Sequence, residues 1–244
     1  MEMITTAVIL AAGMGTRLQD LGKSQPKGFL QFGEKPIIEE SIEKLIKSGI
    51  KRIILVTGYH HEFYETLAKK YEIITTQFNP KYAESGSFYS LFCARNLINS
   101  DFLLLESDLI YEQQALTTVI NFPKDNVILL SGKTNAGDEV YVETKQETIV
   151  TMSKNPQKLQ QITGEFVGIC KISLSLFAEM LAEAKLRFET NLKGDYETDG
   201  LVAVAKSYPV YYQLVPNLIW AEIDDYQHLI RARELIYPAI LATH

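Results

Sequence analysis

Apolar residues along the chain follow two alternating patterns. Continuous apolar runs, TTAVILAA (5–12), IKRIILVTG (50–58) and DFLLLESD (101–108), are typical of strands buried on both faces of a parallel sheet. Between the first two runs, KPIIEESIEKLIKSG (35–49) carries apolar residues three and four positions apart, which predicts a helix that begins near a proline and ends at a glycine. Helices are also predicted at 60–71 and 87–98, with a strand at 72–78. Because strands and helices alternate, the sequence predicts right-handed βαβ units in an open parallel sheet.

The pattern changes in the second half of the chain. Between Val127 and Lys171 the apolar runs become short and alternating, as in EVYVET, TIVTMS and GEFVGICKI, which indicates antiparallel strands added to the same sheet. The remainder predicts helices at about 173–188 and 198–206, a strand in YPVYYQLV and a closing helix near 225–237. We therefore predict an α/β fold with a mixed, mostly parallel central sheet and a small antiparallel addition, in one domain over 1–244.

Charge and cysteine content narrow the possible partners of this 244-residue chain. The net charge is −6 and there is no long block of Lys and Arg, which argues against nucleic acid or an anionic membrane as a partner. A nucleotide remains compatible, since a few local donors bind one triphosphate. Cys93 and Cys170 form no CxxC motif, and the N-terminal apolar run lacks a basic flank. We therefore expect a reducing, cytoplasmic location.

A glycine-rich turn follows the first predicted strand, in VILAAGMGTRL (8–18). Gly13 and Gly15 leave the backbone bare, so its N–H groups can approach an anion closely. The spacing fits neither a P-loop, which needs a later Gly-Lys-Ser/Thr, nor the dinucleotide fingerprint, which needs glycine where Leu18 stands. Arg17 and Lys27 follow within a short distance and favour a bound polyphosphate. A purely structural turn is the alternative when the two glycines are considered alone.

The complete string is more specific than the turn. L-A-A-G-x-G-x-R-L followed by P-K resembles the signature of the nucleotidyltransferases that activate sugar phosphates and small phospho-alcohols. The stretches GYHHEFYETL, FNPKYAESGSFYSLFCA and WAEIDDYQHL are similar to those of bacterial phosphocholine and 2-aminoethylphosphonate cytidylyltransferases. The resemblance covers nearly the whole chain, although residues 110–160 match loosely.

This resemblance implies a Rossmann-like, three-layer α/β/α fold and a specific reaction. CTP and a phosphate or phosphonate would give a CMP conjugate and pyrophosphate, with Mg²⁺ as cofactor. Lys27 and Arg17 are the catalytic candidates, because they would neutralise phosphate charge. The candidate nucleotide-binding residues are Leu10, Ala11, Ala12, Gly13, Gly15, Thr16, Arg17, Ser85, Gly86 and Ser87.

Asp108 and Asp224 are the candidate Mg²⁺ ligands. Asp108 ends a predicted buried strand at the carboxyl edge of the sheet, where ligands of open α/β folds bind. It aligns with a metal-binding aspartate of the family, and Asp224 aligns with a second one. The alternative for Asp224 is a capping box with Gln227, although Asp225 could cap the same helix and leave Asp224 free. Glu106 stands where the family often has a further aspartate.

The acceptor site is predicted from a missing aromatic residue and a group of acidic residues. The tryptophan that lines the choline cage in the phosphocholine enzymes aligns with Val140, and quaternary ammonium groups are usually held by aromatic faces. A primary ammonium is held by carboxylates instead. The candidates are Glu222, Asp195, Glu197, Asp199 and Glu139, with Tyr196 beside them. This combination favours 2-aminoethylphosphonate over phosphocholine, and a simple solvated turn is the alternative for GDYETDG.

Two other functions and several partners stay open at this point. One alternative is a sugar 1-phosphate nucleotidyltransferase, and the other is a non-catalytic nucleotide-binding regulator on the same fold. The presence of Arg17, Lys27, Asp108 and Asp224 favours an enzyme. We expect small-molecule substrates, namely CTP and an amino-alkyl phosphonate or phosphate, and no nucleic-acid or membrane partner. The sequence leaves open a homodimer and a fused or separate enzyme of the same pathway.

Overall fold

The computed structural model describes residues 3–18 and 20–243, and a mixed β-sheet lies at its centre. Its strands are β1 (Thr6–Ala11), β2 (Arg52–Thr57), β3 (Ile74–Phe78), β4 (Phe102–Glu106), β6 (Val127–Ser131), β7 (Tyr141–Lys145), β8 (Thr148–Ser153), β9 (Gly164–Ile172) and β10 (Tyr211–Val215). They lie in the order β3-β2-β1-β4-β9-β6-β10-β8-β7. A separate two-stranded ladder pairs β5 (Leu109–Tyr111) with β11 (Trp220–Glu222).

The pairing directions confirm the predicted α/β class and mixed sheet. Strands β3, β2, β1 and β4 are parallel neighbours, and β6 is parallel to β10. The long strand β9 is inserted antiparallel between β4 and β6. Strands β7 and β8 form the predicted antiparallel addition, and β7 also pairs with the start of β9. The prediction of antiparallel strands over residues 127–171 is therefore confirmed for the pairings of β7, β8 and β9, but not for the pairing of β6 with β10, since β6 is buried throughout and is parallel to β10.

The helices lie between and beside these strands. They are α1 (Asp20–Ser24), α2 (Ile37–Lys47), α3 (His61–Ala68), α4 (Ser87–Cys93), α5 (Gln114–Ile120), α6 (Leu174–Arg187), α7 (Val202–Val204), α8 (Tyr226–Arg231) and α9 (Tyr237–Leu241). Wider π-helical turns cover Tyr196–Leu201 and Ala232–Ile236. Short 3₁₀ turns cover Thr16–Leu18, Lys27–Phe29, Ala94–Asn96 and Pro156–Lys158. Across the residues that the structure describes, no helix is long and apolar enough to cross a bilayer.

Several boundaries differ from the sequence-based expectation. The polar stretch after the glycine turn contains a 3₁₀ turn and the short helix α1. The helix expected at 198–206 is a π turn that continues into the short α7, and the closing helix extends through a second π turn to Leu241. Strands β5 and β11 and helix α5 were not predicted. Their short segments become regular through pairing and packing with distant residues, which local periodicity does not encode.

The central sheet separates two apolar clusters. Along β1, Ala7, Ile9 and Ala11 pack with residues of α2, α3 and α5, whereas Val8 and Leu10 pack with residues of α4 and α6. Successive side chains of a strand point to opposite faces, so both faces of β1 are covered by helices. This burial explains the continuous apolar run and leaves the carboxyl ends of β1 and β4, which are neighbours, free to form a ligand site.

Candidate active site

A cavity of about 320 Å³ opens at the carboxyl ends of β1 and β4. Polar and charged side chains from distant parts of the chain line it together with Gly13 of the glycine turn. The predicted site residues that line it are Leu10, Ala12, Gly13, Arg17, Lys27, Ser85, Gly86, Ser87, Asp108, Glu139, Asp195, Glu197, Glu222 and Asp224. The tertiary structure therefore brings most of the predicted residues into one cavity.

The glycine turn has unpaired backbone donors, and Gly13 of this turn lines the cavity. Within residues 3–18 and 20–243, the N–H groups of Gly13, Met14 and Gly15 donate no hydrogen bond to the protein. Gly15 adopts φ 60°, a left-handed conformation that favours glycine. The chain then enters the 3₁₀ turn Thr16–Leu18, which carries Arg17, and the N–H of Leu18 donates to the Gly15 carbonyl at 3.0 Å. Free N–H groups beside a guanidinium are suited to bind an anion.

Lys27 lies at the centre of the charged groups. Its ammonium donates to Oδ2 of Asp108 at 2.7 Å and also to Oδ1 of Asp224. The next residue must be small, because a Cβ at Gly28 would lie 3.0 Å from the Ser107 carbonyl oxygen. Burial disfavours the charged form of Lys27, but the charges of Asp108, Asp224 and other carboxylates outweigh it and raise its pKa. Lys27 is therefore an ammonium held in place by two carboxylates.

Arg17 completes the pairing of Asp224. Its guanidinium lies 2.7 Å from Oδ2 of Asp224 and 3.6 Å from Oδ2 of Asp138. Burial acts to raise the pKa of Asp224, yet the charge of Lys27, the contact with Asp138 and the charge of Arg17 lower it overall. Both carboxylate oxygens of Asp224 thus contact a cationic side chain. The pKa of Asp138 is raised to about 6, mainly by burial and by its contact with Asp224.

The β5–β11 ladder sets the distance between Asp108 and Asp224. Asp108 follows the end of β4 and Asp224 follows β11, and the N–H of Ile223 donates to the Asp108 carbonyl at 3.0 Å. Asp225, rather than Asp224, is the N-cap of α8, since its side chain accepts from the N–H of His228. The capping-box alternative for Asp224 was therefore wrong. Its carboxylate is available to the cavity.

Three further carboxyls line the cavity, those of Glu106, Glu197 and Glu222. Among the described residues, Glu106 and Glu222 form no ion pair or side-chain hydrogen bond, and Oε2 of the buried Glu197 has no partner. Burial and the charge of Asp195 raise the pKa of Glu197 to about 8. Burial and neighbouring carboxyls also raise the pKa values of Glu106 and Glu222 well above the usual range. These three groups lack the cation that buried carboxylates normally need.

The segment around Ser85 and Ser87 lines the same cavity. The hydroxyl of Ser87 accepts from the N–H of Tyr196 at 3.0 Å and lies 3.4 Å from Oδ1 of Asp195. The hydroxyl of Ser85 donates to the Lys81 carbonyl at 2.8 Å and lies 3.1 Å from Nδ2 of Asn79. The side chain of Ser87 therefore links α4 to the π turn that begins at Tyr196. The side chain of Ser85 holds the local backbone through Lys81 and Asn79.

Residues 6–140, more than half of the chain, match a family described as nucleotidyl transferase. The chain belongs to this family. It is therefore an enzyme of the nucleotidyltransferase class, as its signature predicted. The loosely matching stretch after residue 110 is included in the match as far as 140.

Two curated relatives of this nucleotidyltransferase match over most of both chains. It is 28% identical over 240 residues to the CTP:phosphoglutamine cytidylyltransferase of Campylobacter jejuni, covering 89% of this chain and 95% of the relative. It is 29% identical over 228 residues to the choline-phosphate cytidylyltransferase of Haemophilus influenzae, covering 92% and 96%. These matches confirm the predicted relationship to cytidylyltransferases.

A solved structure supports the fold. The inositol-1-phosphate CTP transferase of T. maritima superimposes with a TM-score of 0.83 at 19% sequence identity, covering 98% of this chain and 96% of that chain. At this identity the likeness extends to the α/β fold alone.

Some predicted site residues of the nucleotidyltransferase lie outside the cavity lining. Ala11 is buried in the core on the α2 side of the sheet, and the lining does not include Gly15 and Thr16. Tyr196 is fully buried in the opposite core, where its hydroxyl has no partner among the described residues. These positions support the site through the backbone and packing.

Sequence reasoning missed several residues that line the cavity. Asp138 lies in the segment after β6, within the stretch that resembled the family only loosely. Trp220 lies in an apolar run, and Arg231 lies in the predicted closing helix, so neither was selected. The Nε1 group of Trp220 is buried and has no partner among the described residues. A tryptophan in a short apolar run usually packs in the hydrophobic core, so the sequence offered no reason to select Trp220 as a site residue.

Proposed function

We propose that this nucleotidyltransferase is a CTP-dependent cytidylyltransferase that transfers CMP to a small phosphonate or phosphate carrying an amino group, with release of pyrophosphate. The favoured acceptor is 2-aminoethylphosphonate, and phosphocholine is next. The observation that carries the proposal is the Lys27 ammonium, which contacts both Asp108 and Asp224 beside the glycine turn. CTP is supported by the two relatives named as cytidylyltransferases.

Asp108 and Asp224 would hold Mg²⁺ in this enzyme. Their oxygens converge on one cation, the Lys27 ammonium, so a hard cation fits between them when it takes the place of that ammonium. Mg²⁺ prefers carboxylate oxygens and nucleotide phosphates as ligands. When bound, it would supply positive charge to the phosphates of CTP.

The chain's own cations would neutralise the reacting anions. An oxygen of the acceptor phosphoryl group attacks the α-phosphorus of CTP in line, forming a new P–O bond as the bond to pyrophosphate breaks. Both reactants are anionic, so positioning and charge neutralisation are the main contributions of the protein. Lys27 would contact the acceptor phosphoryl group and the α-phosphate. Arg17 and the free N–H groups of Gly13–Gly15 would hold the β- and γ-phosphates that leave.

The unpaired carboxyls support an acceptor with a primary ammonium. Glu106, Glu197 and Glu222 supply oxygens without a cationic partner among the described residues, and an ammonium has three N–H donors for them. Val140 lines the same cavity, so an aliphatic side chain stands where an aromatic wall would favour a quaternary ammonium. Glu139 and Asp195 line the cavity as well. Backbone groups at Ser85 and Ser87 would bind the cytosine, because the serine hydroxyls are already engaged and the N–H of Gly86 donates to the Leu192 carbonyl.

One assay tests the reaction and the acceptor together. Pyrophosphate release is measured with Mg²⁺ and each nucleoside triphosphate against 2-aminoethylphosphonate, phosphocholine, phosphoethanolamine and glucose 1-phosphate. We expect the highest kcat/KM for CTP with 2-aminoethylphosphonate. Lys27→Ala should lower kcat/KM by about 10²- to 10³-fold, the loss typical of one preorganised charged donor.

The matched control is Lys35→Ala, which removes a lysine that pairs with Glu43 away from the cavity and should leave turnover unchanged. Silence of the native enzyme across the whole panel would refute the proposed reaction. A preference for glucose 1-phosphate would instead assign the enzyme to sugar-phosphate activation. Normal turnover of Lys27→Ala would show that the role of Lys27 is wrong.

A further inference from the structure

The buried imidazole of His228 connects two parts of the active site. It lies in the first turn of α8, with 7% of its side chain exposed. Its Nδ1 accepts from the backbone N–H of Asp224 at 3.4 Å. On the other side of the ring, Nε2 lies 3.2 Å from the Ala136 carbonyl oxygen and 3.4 Å from Oδ1 of Asp138. One side chain therefore contacts both the backbone of a candidate metal ligand and the segment at 132–140.

The partners of His228 define what each ring nitrogen does. Because Nδ1 faces a backbone donor, it accepts, and the hydrogen of the neutral ring lies on Nε2. Nε2 then donates toward Ala136 and Asp138, both of which present oxygens. The backbone of His228 is held as well, since its N–H donates to the Asp225 carboxylate at 2.9 Å. A flat ring with an acceptor on one side and a donor on the other fits this position, and aliphatic or charged side chains do not.

The segment at 132–140 needs such an attachment. It joins β6 to β7 and has left-handed backbone at Asn135 (φ 56°) and Gly137 (φ 109°). Asp138, Glu139 and Val140 of this segment line the cavity, and Asp138 contacts Arg17. A second attachment comes from Arg231, which donates to the Thr134 carbonyl at 3.0 Å. Both attachments come from α8, three residues apart, so the helix that follows Asp224 also holds the cavity wall.

We propose that His228 is a positioning residue that fixes Asp224 relative to the 132–140 segment. Through Nδ1 it sets the backbone of Asp224, and through Nε2 it sets the wall that carries Val140 and the partner of Arg17. Loss of the first contact loosens the metal ligand, whereas loss of the second loosens the wall that borders the acceptor. The effect on the acceptor wall rests on the proposed function. The effect on Asp224 does not, because metal affinity is measured with the protein and a metal ion alone.

Three substitutions separate the two contacts. His228→Asn places an amide near Nδ1, where its oxygen can still accept from Asp224. His228→Gln places an amide near Nε2, where its nitrogen can still donate to Ala136. His228→Phe keeps the ring volume and removes both contacts. His61→Phe is the matched control, because His61 is exposed on α3 and pairs with Glu65.

The measurements are Mn²⁺ affinity by paramagnetic resonance, KM and kcat for the acceptor, and the midpoint of thermal unfolding. We expect His228→Gln to weaken Mn²⁺ binding by about 10-fold with a nearly native acceptor KM, as is typical when the support of a metal ligand is removed. His228→Asn should show the reverse, a raised acceptor KM with nearly native Mn²⁺ affinity. His228→Phe should show both effects, and His61→Phe neither.

If His228 only stabilised the fold, its variants would have a lower unfolding midpoint. Loss of Mn²⁺ affinity would then not separate from the rise in acceptor KM between the Gln and Asn variants. Native Mn²⁺ affinity and native KM in all three folded variants would overturn the inference, as would equal losses in the Asn and Gln variants. If His228→Phe does not fold, the Asn and Gln variants still decide it. If the native enzyme shows no turnover with any acceptor, the proposed function fails, and the Mn²⁺ titrations still decide whether His228 positions Asp224.

Discussion

The ammonium of Lys27 lies 2.7 Å from Oδ2 of Asp108, although the two residues are 81 positions apart in the sequence. The same ammonium contacts Asp224, whose other oxygen lies 2.7 Å from Arg17. In the free protein the cationic side chains suited to phosphate therefore contact the carboxylates suited to metal. Binding of a metal–nucleotide complex would exchange partners on both sides, so that no charge is left uncompensated in a half-buried site.

Removing the Lys27 ammonium should strengthen metal binding to the free protein. In Lys27→Met the carboxylates of Asp108 and Asp224 lose their shared cation, so Mn²⁺ should bind at least about 10-fold more tightly, given charge interactions of several kcal/mol at this range. Titration of Mn²⁺ followed by paramagnetic resonance measures the change. Lys35→Met breaks a lysine–carboxylate pair outside the cavity and should have no effect. Unchanged or weaker Mn²⁺ binding in Lys27→Met would show that the Lys27 ammonium does not compete with the metal ion for Asp108 and Asp224.

The protein should lose stability as pH rises because of Glu197. The pKa of this carboxyl is about 8 in the folded protein, compared with an ordinary value of 4.5, because burial and the charge of Asp195 disfavour ionisation. The contribution of the neutral Glu197 carboxyl to the free energy of unfolding is fully present below pH 4.5, where the unfolded chain is also protonated. It is lost as pH rises through 8, since only the unfolded chain ionises in that window. The free energy of unfolding should fall by on the order of 1 kcal/mol per pH unit.

Urea denaturation of Glu197→Gln between about pH 5 and about pH 8 measures this contribution. The variant has no carboxyl to ionise, so its stability should depend less on pH and should exceed that of the native protein most at the alkaline end. Glu189→Gln removes a carboxyl at an exposed position, so it is the control and should keep the native dependence of stability on pH. Parallel profiles for the native protein and Glu197→Gln would show that Glu197 is ionised throughout.

An aromatic side chain at Val140 should shift the acceptor preference toward quaternary ammonium. Val140→Trp adds a π face to the cavity wall, and cation–π contacts contribute about 0.5–2 kcal/mol. The ratio of kcat/KM for phosphocholine to that for 2-aminoethylphosphonate should rise several-fold. Val150→Trp places the same side chain at an exposed position on β8 and should leave the ratio unchanged. A ratio that falls in Val140→Trp would argue that Val140 does not face the acceptor.

The N-cap of α8 at Asp225 should stabilise the folded protein, and we expect no catalytic role for it. Its side chain accepts from the N–H of His228 and begins α8, so Asp225→Ala should lower the free energy of unfolding by about 1 kcal/mol. Asp225→Ser keeps a capping oxygen and should recover most of the loss. Chemical denaturation at constant pH provides both values. Equal stability of the Ala variant and the native protein would mean that Asp225 is not the cap.

The sequence predicted the buried strands and the glycine turn, because both depend on residues that are neighbours in the chain. The buried run before Gly13 required a strand covered on both faces, and Gly15 with φ 60° occupies the turn that the motif required. The carboxyl end of that strand had to meet the end of β4 in a parallel sheet, which explains why Asp108 could be selected. Asp224 was ambiguous, because the same local pattern fits a metal ligand or a helix cap.

Tertiary structure decided which groups meet. The β5–β11 ladder, whose short strands carry no clear periodicity, brings Asp224 to Asp108 and Lys27. It also determines that Glu222 faces the cavity with Glu106 and Glu197, and that His228 reaches Asp138 across 90 positions of chain. Local sequence encodes burial, turns and caps through contacts within a few residues. The charge pairs of this site depend on strand register between distant segments, and only the folded chain fixes that register.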